Sequence, residues 1–544
     1  GAAMALAAGA SLLAYFAQQP QGEAALPAAP LSVRAANAFL SYISYLGKTI
    51  WPSNLGVFYP YPEEWKLWQV AGSVFLLTAV SFLTVRFARK FPFLAVGWFW
   101  YLGTLVPVIG FVQVGEHAMA DRYTYIPLTG LFIMAAWGVP EILQKWRYGR
   151  ETMILSPALV LAALLWTTWN PVGHWRNSVT LFNHTLRVTE PNSLSYLNRG
   201  LAWWKAGDFQ HALEDLNRAV ELRPDYARPY QVRASLLASL GQYPQAMEDA
   251  NRAIELYPAS AAAYHTRAAI HASRGDSRRA LEDCDKALEL DPLYATAYQN
   301  RATIRLNLGE FHRAIEDSDK ALKLNPKYAE AYLTRGQAYA RLGDTRKALH
   351  DYDRALEINP NSAPARTHRG AAYEALGELR RAIQDYDQAL AIDPNYAPAY
   401  SHRGNAHGSA GNTRQALEDL GKAIELNPRS PAAYNHRAGV YGSLGRYREA
   451  IEDCNEAIRL NPDYAEAYNN RGNAHARLGQ FGRAIRDYDR ALELNPKYAA
   501  AWNNRAAAHW GTGSREKALA DLRTAARLGF EPARKALKSQ GMDW

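Results

Sequence analysis

The chain has 544 residues, 48% of them hydrophobic and 21% charged, a balance that excludes a disordered or collagen-like polypeptide. Lys and Arg number 61 against 52 Asp and Glu, and the net charge of +9 is too small over this length to argue by itself for nucleic acid. With only two cysteines, Cys284 and Cys454, a disulfide framework and a cysteine-rich zinc module are also excluded.

The first part of the chain carries apolar runs rich in Trp, Phe, Leu and Val. Ala2–Ala17 reads either as the end of a span cut off upstream or as a signal peptide ending in small residues. Because the chain opens on Gly1 and not Met, a processed or incomplete start is expected. Four runs follow: Trp68–Phe87, Pro92–Val112, Tyr125–Leu143 and Thr152–Trp169. Each approaches the roughly 20 apolar residues that cross ~30 Å of hydrocarbon, and together they predict a polytopic membrane region. Arg86, Arg89 and Lys90 lie between the first two runs, and Lys145, Arg147 and Arg150 between the last two. The positive-inside rule then places both clusters in the cytoplasm and everything after Trp169 on the opposite side. The rival reading is a large soluble core with buried helices.

From about residue 190 the sequence becomes polar, alanine-rich and periodic, with a repeat every 34 residues. Ten glycines run from Gly207 to Gly513, nine prolines from Pro224 to Pro496, and ten alanines from Ala219 to Ala525. Each unit predicts helix, glycine turn, helix and proline stop, as in AYLTRGQAYARLGDTRKALHDYDRALEINP, which ends at Pro360. This pattern resembles the tetratricopeptide repeat (TPR), and the resemblance implies a right-handed superhelix of antiparallel helix pairs with a concave binding face. Fold and boundaries are therefore expected to be all-α: transmembrane helices over 1–190, a ten-repeat α-solenoid over 191–530, and a capping segment over 531–544.

Within every unit an arginine precedes the turn glycine by eight residues and an aspartate follows it by eight, from Arg199/Asp215 through Arg335/Asp351 to Arg505/Asp521. In an antiparallel pair both partners lie about 12 Å from the turn and meet at equal height. The structural reading is an internal ion pair that fixes helix register; the functional one is an arginine ladder for phosphate or nucleic acid. The invariable aspartate favours the first. The D-x-D pattern of Asp351–Asp353, Asp385–Asp387 and Asp487–Asp489 recurs at the repeat period on a predicted helix, which argues against a metal site. No metal or cofactor is expected in the array, and the two cysteines, at one repeat position, read as small packing residues.

In this repeat family the first helix of each unit lines the groove. Its exposed positions are assigned to Asn435, Asn469, Asn470, Asn473, Asn503 and Asn504 in the last three units, and to Gln299, Asn300, Gln337, His368, His402 and Asn405 earlier. Carboxamides donate and accept at once, so they bind the backbone of an extended peptide whatever its side chains. The arrangement is similar to the asparagine ladder in the TPR arm of O-GlcNAc transferase. The alternative is a solvated polar face without a ligand.

Three segments before the repeats carry a second resemblance: SYLGKTIWPSNLGVFYPYP (Ser44–Pro62), GEHAMADRYTYIP (Gly115–Pro127) and HWRNSVTLFNHTLRVTEPN (His174–Asn192). They resemble the C-terminal membrane portion of GT-C-type glycosyltransferases with TPR arms, including the transmembrane O-mannosyltransferases of the endoplasmic reticulum and bacterial relatives. Arg122-Tyr123 with Tyr125-Ile126-Pro127, and Trp175 with Leu181-Phe182, carry the match. The resemblance implies sugar transfer from a polyprenyl-phosphate-sugar donor to a protein acceptor. The family's acidic general base lies in an upstream outer loop not seen in this chain, so catalytic residues stay unassigned. His117 and Arg122 are placed at the lipid phosphate, with pairing of Arg122 to Asp121 or Glu116 as the alternative. The expected setting is an integral membrane protein in contact with the bilayer, its array on the non-cytoplasmic side: periplasmic in a bacterium, lumenal in a eukaryote. The alternative function is a non-enzymatic, membrane-anchored TPR scaffold for protein–protein interaction. Nucleic acid is not expected as a partner.

Overall fold

Residues 30–50, 66–106, 119–144 and 173–539, with short pieces between them, are described by the computed structural model. Contacts divide the chain into two units, Gly1–Ala297 and Tyr298–Trp544. Among the described residues there is no strand beyond one isolated bridge, Tyr59–Met119.

The first unit opens with helices Leu31–Ile50, Leu67–Phe87, Pro92–Leu105 and Leu128–Leu143. Aromatic side chains tie them together. Tyr45 and Tyr101 are fully buried. The Tyr101 hydroxyl donates to the Tyr42 carbonyl at 2.6 Å, and Trp98 Nε1 donates to Ser81 Oγ at 2.8 Å. Glycine allows one close crossing: a Cβ on Gly97 would stand 2.3 Å from the Gly130 carbonyl oxygen.

These helices overturn the expected polytopic membrane region. Among the described residues one helix, Leu67–Phe87, is long and apolar enough to cross a membrane. The run beginning at Pro92 is helical only to Leu105, two residues short of Pro107. The run ending at Leu143 becomes helical only after Pro127, at Leu128. At 1.5 Å per residue they reach about 21 and 24 Å, short of a ~30 Å core. A proline stands next to the start of the second, Pro127, and two positions past the end of the first in sequence. The integral-membrane location with a periplasmic or lumenal array rested on several alternating spans, and it falls with them. Thr152–Trp169 and Ala2–Ala17 lie outside the described residues.

From Ser193 to Arg527 the chain is a series of helix pairs, an all-α solenoid. A representative pair is Ala465–Arg477 (13 residues) and Phe481–Leu494 (14 residues). Gly479 between them has φ +72, and a Cβ there would meet nothing within 4 Å. The turn therefore needs glycine for its left-handed backbone and not for space. The short helix Glu531–Ser539 closes the second unit, burying Ala533 and Leu537 against Ala525 and Ala526.

The arginine–aspartate pairs are formed in all ten helix pairs, each bidentate. In the fifth, Arg335 Nε and Nη2 donate to Asp351 at 2.8 and 2.7 Å. The aspartates are buried, with Asp351 only 2% exposed. The remaining Nη1 reaches back 16 residues to the preceding second helix. There it meets Asn183, Asn217 and Asn251 in the first unit. In the second unit it meets Asp319, Asp353, Asp387, Asn455 and Asp489. D-x-D is thus explained without a metal: Asp351 holds the arginine of its own repeat, and Asp353 holds Arg369 of the next. Each guanidinium also lies over the aromatic ring three residues earlier wherever that ring is present, as Arg335 does over Tyr332 at 5.4 Å.

A second compensation sits beside the clamp. The residue after each clamp arginine faces the residue after each clamp aspartate. Gly336, Gly370 and Gly472 oppose Tyr352, Tyr386 and Tyr488, and a Cβ on Gly370 would stand 2.6 Å from Tyr386 Cε1. In the eighth repeat alanine takes the glycine's place, and Ala438 shares a buried cluster with Cys454. Both cysteines are buried outside any disulfide, and burial pushes the Cys454 thiol up to about 12.

One clamp lacks its backward contact. Arg437 pairs with Asp453, but the position 16 residues before it is Gly421, inside helix Thr413–Leu426 and open to space on its Cβ side. Gly421→Asp removes a helix-interior glycine and supplies the missing acceptor. We expect it to stabilise the protein by about 1 kcal/mol, read as a rise in melting temperature. An unchanged or lower melting temperature would show that the backward contact contributes nothing.

Candidate peptide-binding face

The face is built from the two residues preceding each clamp arginine on the first helices. Stacking brings the earlier of these in one repeat against the later of these in the next, 35 residues on. In the first unit Gln231 Nε2 donates to Thr266 Oγ1 at 2.9 Å. In the second unit Gln299 donates to Thr334 at 2.7 Å, and Ser401 Oγ meets His436 Nδ1 at 3.2 Å. Asn470 Nδ2 donates to Asn435 Oδ1 at 2.9 Å, and Asn504 Nδ2 donates to Asn469 Oδ1 at 3.0 Å. The polar series is therefore partly an inter-repeat seam.

This geometry sorts the six asparagines singled out in the sequence. Asn435 and Asn469 are 6% and 4% exposed, and their amides are engaged by the seam. Asn470, Asn473, Asn503 and Asn504 are half-buried. Asn470 and Asn504 donate into the seam and keep an accepting oxygen. Asn473 accepts the Tyr488 hydroxyl at 2.8 Å and keeps its NH2 donors. The Asn503 amide makes no hydrogen bond among the described residues.

Asn470, Asn473 and Asn504 line a cavity of about 550 Å³ on the first helices of the eighth, ninth and tenth repeats. Small residues are prominent in its lining, among them Gly439, Gly442, Ala476 and Ala507, together with Tyr447, Phe481, Tyr488 and Arg477. A smaller cavity of about 480 Å³ lies against Gln337, Arg341 and His368. Three histidines follow in register. His368 stacks on Tyr352, His402 stacks on Tyr386, and His402 and His436 lie 6.1 Å apart.

Two kinds of group were missed by reading first helices alone. Tyr386 and Tyr488 belong to second helices, yet their hydroxyls pass the gaps left by Gly370 and Gly472 and reach Glu374 and Asn473. The signal was a glycine 16 residues before a tyrosine. Glu374 was missed because no other first helix of the second unit has an acid at that position. Every clamp arginine is held bidentately by a buried aspartate, so the series does not read as a phosphate ladder. Asn183 accepts the Arg199 Nη1 bond at 2.7 Å. His117 lies outside the described residues. Arg122 falls in the turn Asp121–Thr124, and its side chain also lies outside them. Among the described residues no group of three His, Cys, Asp or Glu is placed to hold a metal.

Tetratricopeptide-repeat models match residues 193–226, 329–362 and 465–498, then 284–316 and 351–384, 232–295, and 397–430. A TPR repeat model matches 302–343, 375–411 and 440–479. Among curated proteins, the chain is 26% identical over 152 residues to the Drosophila melanogaster protein O-mannosyl-transferase Tmtc2, covering 28% of this chain and 14% of that one. It is 28% identical over 117 residues to the Homo sapiens protein O-mannosyl-transferase TMTC3, covering 22% and 12%. The matches therefore span 14% or less of the length of these relatives. Similar solved structures include a tetratricopeptide repeat protein from Parabacteroides merdae, at 24% identity, TM-score 0.39, and coverage of 45% of this chain and 97% of that one. A thermophilic TPR protein from Thermus thermophilus gives 25% identity and TM-score 0.32, covering 34% and 99%.

The histidine series carries a pH dependence. Burial pushes His368 and His436 down to about 4 from 6.5, helped by the neighbouring His402. The folded protein thus keeps these rings neutral while the unfolded chain takes up protons as the pH falls below about 6.5. Their contribution is complete above that value and is lost as the pH falls towards about 4. Urea midpoints measured at pH 7 and pH 4.5 should fall on acidification. His368→Asn with His436→Asn, the residue type of the ninth and tenth repeats, should reduce that fall. An equal fall in the double variant would remove the histidines from the account.

Proposed function

We propose, from the premise that residues 193–498 form a tetratricopeptide-repeat solenoid, that this protein is a binding scaffold holding an extended segment of another protein. The segment lies on the first helices of the second unit and seats in the cavity of the eighth to tenth repeats. One observation carries the reading: Asn470 and Asn504 offer acceptors and Asn473 offers donors around a cavity lined largely by glycine and alanine. An extended backbone presents alternating N–H and C=O groups and is recognised by such a mixed set whatever its side chains. The small lining residues let a backbone approach closely, and the aromatic ones supply apolar contact.

A second reading follows from the two relatives named protein O-mannosyl-transferase. In it the same face holds an acceptor polypeptide for sugar transfer, and His117 and Arg122 contact the phosphate of a polyprenyl-phosphate-sugar donor. Incubating the full chain with a labelled donor of that class and a bound peptide decides it. Label on the peptide supports transfer, and its absence leaves the scaffold.

The scaffold reading is tested by filling the cavity without touching the asparagines. Gly439→Leu with Ala507→Leu adds bulk at two lining positions: a Cβ on Gly439 meets nothing within 4 Å, and Ala507 is exposed. Peptides selected on the full chain from a displayed random nonapeptide library should bind this variant at least tenfold more weakly by fluorescence polarisation, with the melting temperature unchanged. Undiminished binding would place the peptide elsewhere.

A further inference from the structure

Glu374 is out of place for every purpose the fold itself sets. It occupies the last turn of the sixth repeat's first helix, Ala363–Ala375, where a negative charge opposes the helix dipole. The same position in the neighbouring repeats of the second unit holds Ala340, Gly408, Gly442 and Ala476. The side chain is partly buried, and burial raises its pKa while its two hydrogen bonds pull it back. It nevertheless forms no ion pair among the described residues, whereas each buried clamp aspartate is paired with an arginine. Arg381, on the following helix, is engaged by Glu378.

What the carboxylate has instead is a mount of neutral donors. The Tyr386 hydroxyl donates to one oxygen at 3.0 Å, and the Asn405 amide donates to the other. Tyr386 is fully buried and arrives from the second helix through the gap at Gly370. Asn405 comes from the next repeat's first helix. Three elements thus fix one carboxylate on the proposed docking face. Each oxygen keeps an unused lone pair, and the matching positions of the adjacent repeats carry only the small residues Ala340 and Gly408.

From this arrangement we propose that Glu374, with Tyr386 and Asn405, is a subsite for a single basic side chain, arginine or lysine, of the docked polypeptide. The proposal rests on the scaffold reading and adds a sequence preference to it. The asparagine cavity reads backbone, and Glu374 reads one positive charge three repeats away from it. A fixed, partly desolvated carboxylate without a protein cation is electrostatically incomplete, and a guanidinium completes it with charge-assisted hydrogen bonds. Tyr386 and Asn405 are positioning residues.

The test uses the full chain and the displayed nonapeptide library. Selection on the wild type should enrich peptides carrying Arg or Lys at one fixed distance from the segment that protects the asparagine cavity. A selected arginine peptide should bind at least tenfold more tightly than its citrulline counterpart. Glu374→Gln, which keeps an acceptor for Tyr386, should bind both alike. The citrulline comparison uses only the wild-type protein, so it stands even if the variant misfolds. Selected peptides without a basic preference, or a preference that survives in Glu374→Gln, would overturn the subsite and leave the scaffold standing. A library that yields no binder overturns the scaffold reading and the subsite with it.

Discussion

The arginine of each first helix is the fastener on which the array depends. Its Nε and Nη2 close a bidentate pair with an aspartate of the same repeat, and, as at Arg369, its Nη1 reaches a carboxylate or carboxamide 16 residues back wherever one stands there. The helices themselves touch mostly through alanine, as at Ala212, Ala246 and Ala280, all fully buried. Such small contacts bring backbones close but define register poorly, because sliding one alanine surface over another costs little shape complementarity. A planar, five-donor guanidinium fixed on three acceptors does define it. A buried ion pair is weak evidence for net stability against a hydrophobic replacement, but it is costly to leave half-made, and its best-attested use is in setting register.

This division of labour frees the other face. Because the clamp sets the stacking, residues one and two places before the arginine can vary, and they do: Gln, His, Leu, Thr, Ser and Asn occupy the earlier place along the array. Where both places are asparagine, in the ninth and tenth repeats, one amide is committed to the inter-repeat seam and others stay available around the cavity. The glycine–tyrosine exchange has the same logic. Glycine at 370 and 472 gives up helix propensity, and in return a tyrosine hydroxyl from the back helix reaches the front.

What the sequence made legible was whatever is periodic within one repeat. Glycine turns, proline stops and the arginine–aspartate pair lie at fixed offsets along two adjacent helices, so spacing alone places them. What it hid lies between repeats. The second aspartate of D-x-D, and the burial of Asn435 and Asn469, depend on how neighbours stack, and a contact between residues 435 and 470 has no counterpart within a single repeat. Before the repeats, the runs that contain Pro107 and Pro127 have the composition of spans at full length, but their helices cover only Pro92–Leu105 and Leu128–Leu143.

The account stands most directly on Arg335, which joins Asp351 of its own repeat to Asp319 of the one before. Native-state hydrogen exchange of Arg335→Ala should show lost protection in both second helices, Phe311–Leu324 and Thr345–Ile358, while repeats further along retain theirs. The associated destabilisation should be about 3–5 kcal/mol, with peptide affinity per folded molecule unchanged. Protection retained in both helices, or binding lost from a fully stable protein, would contradict it.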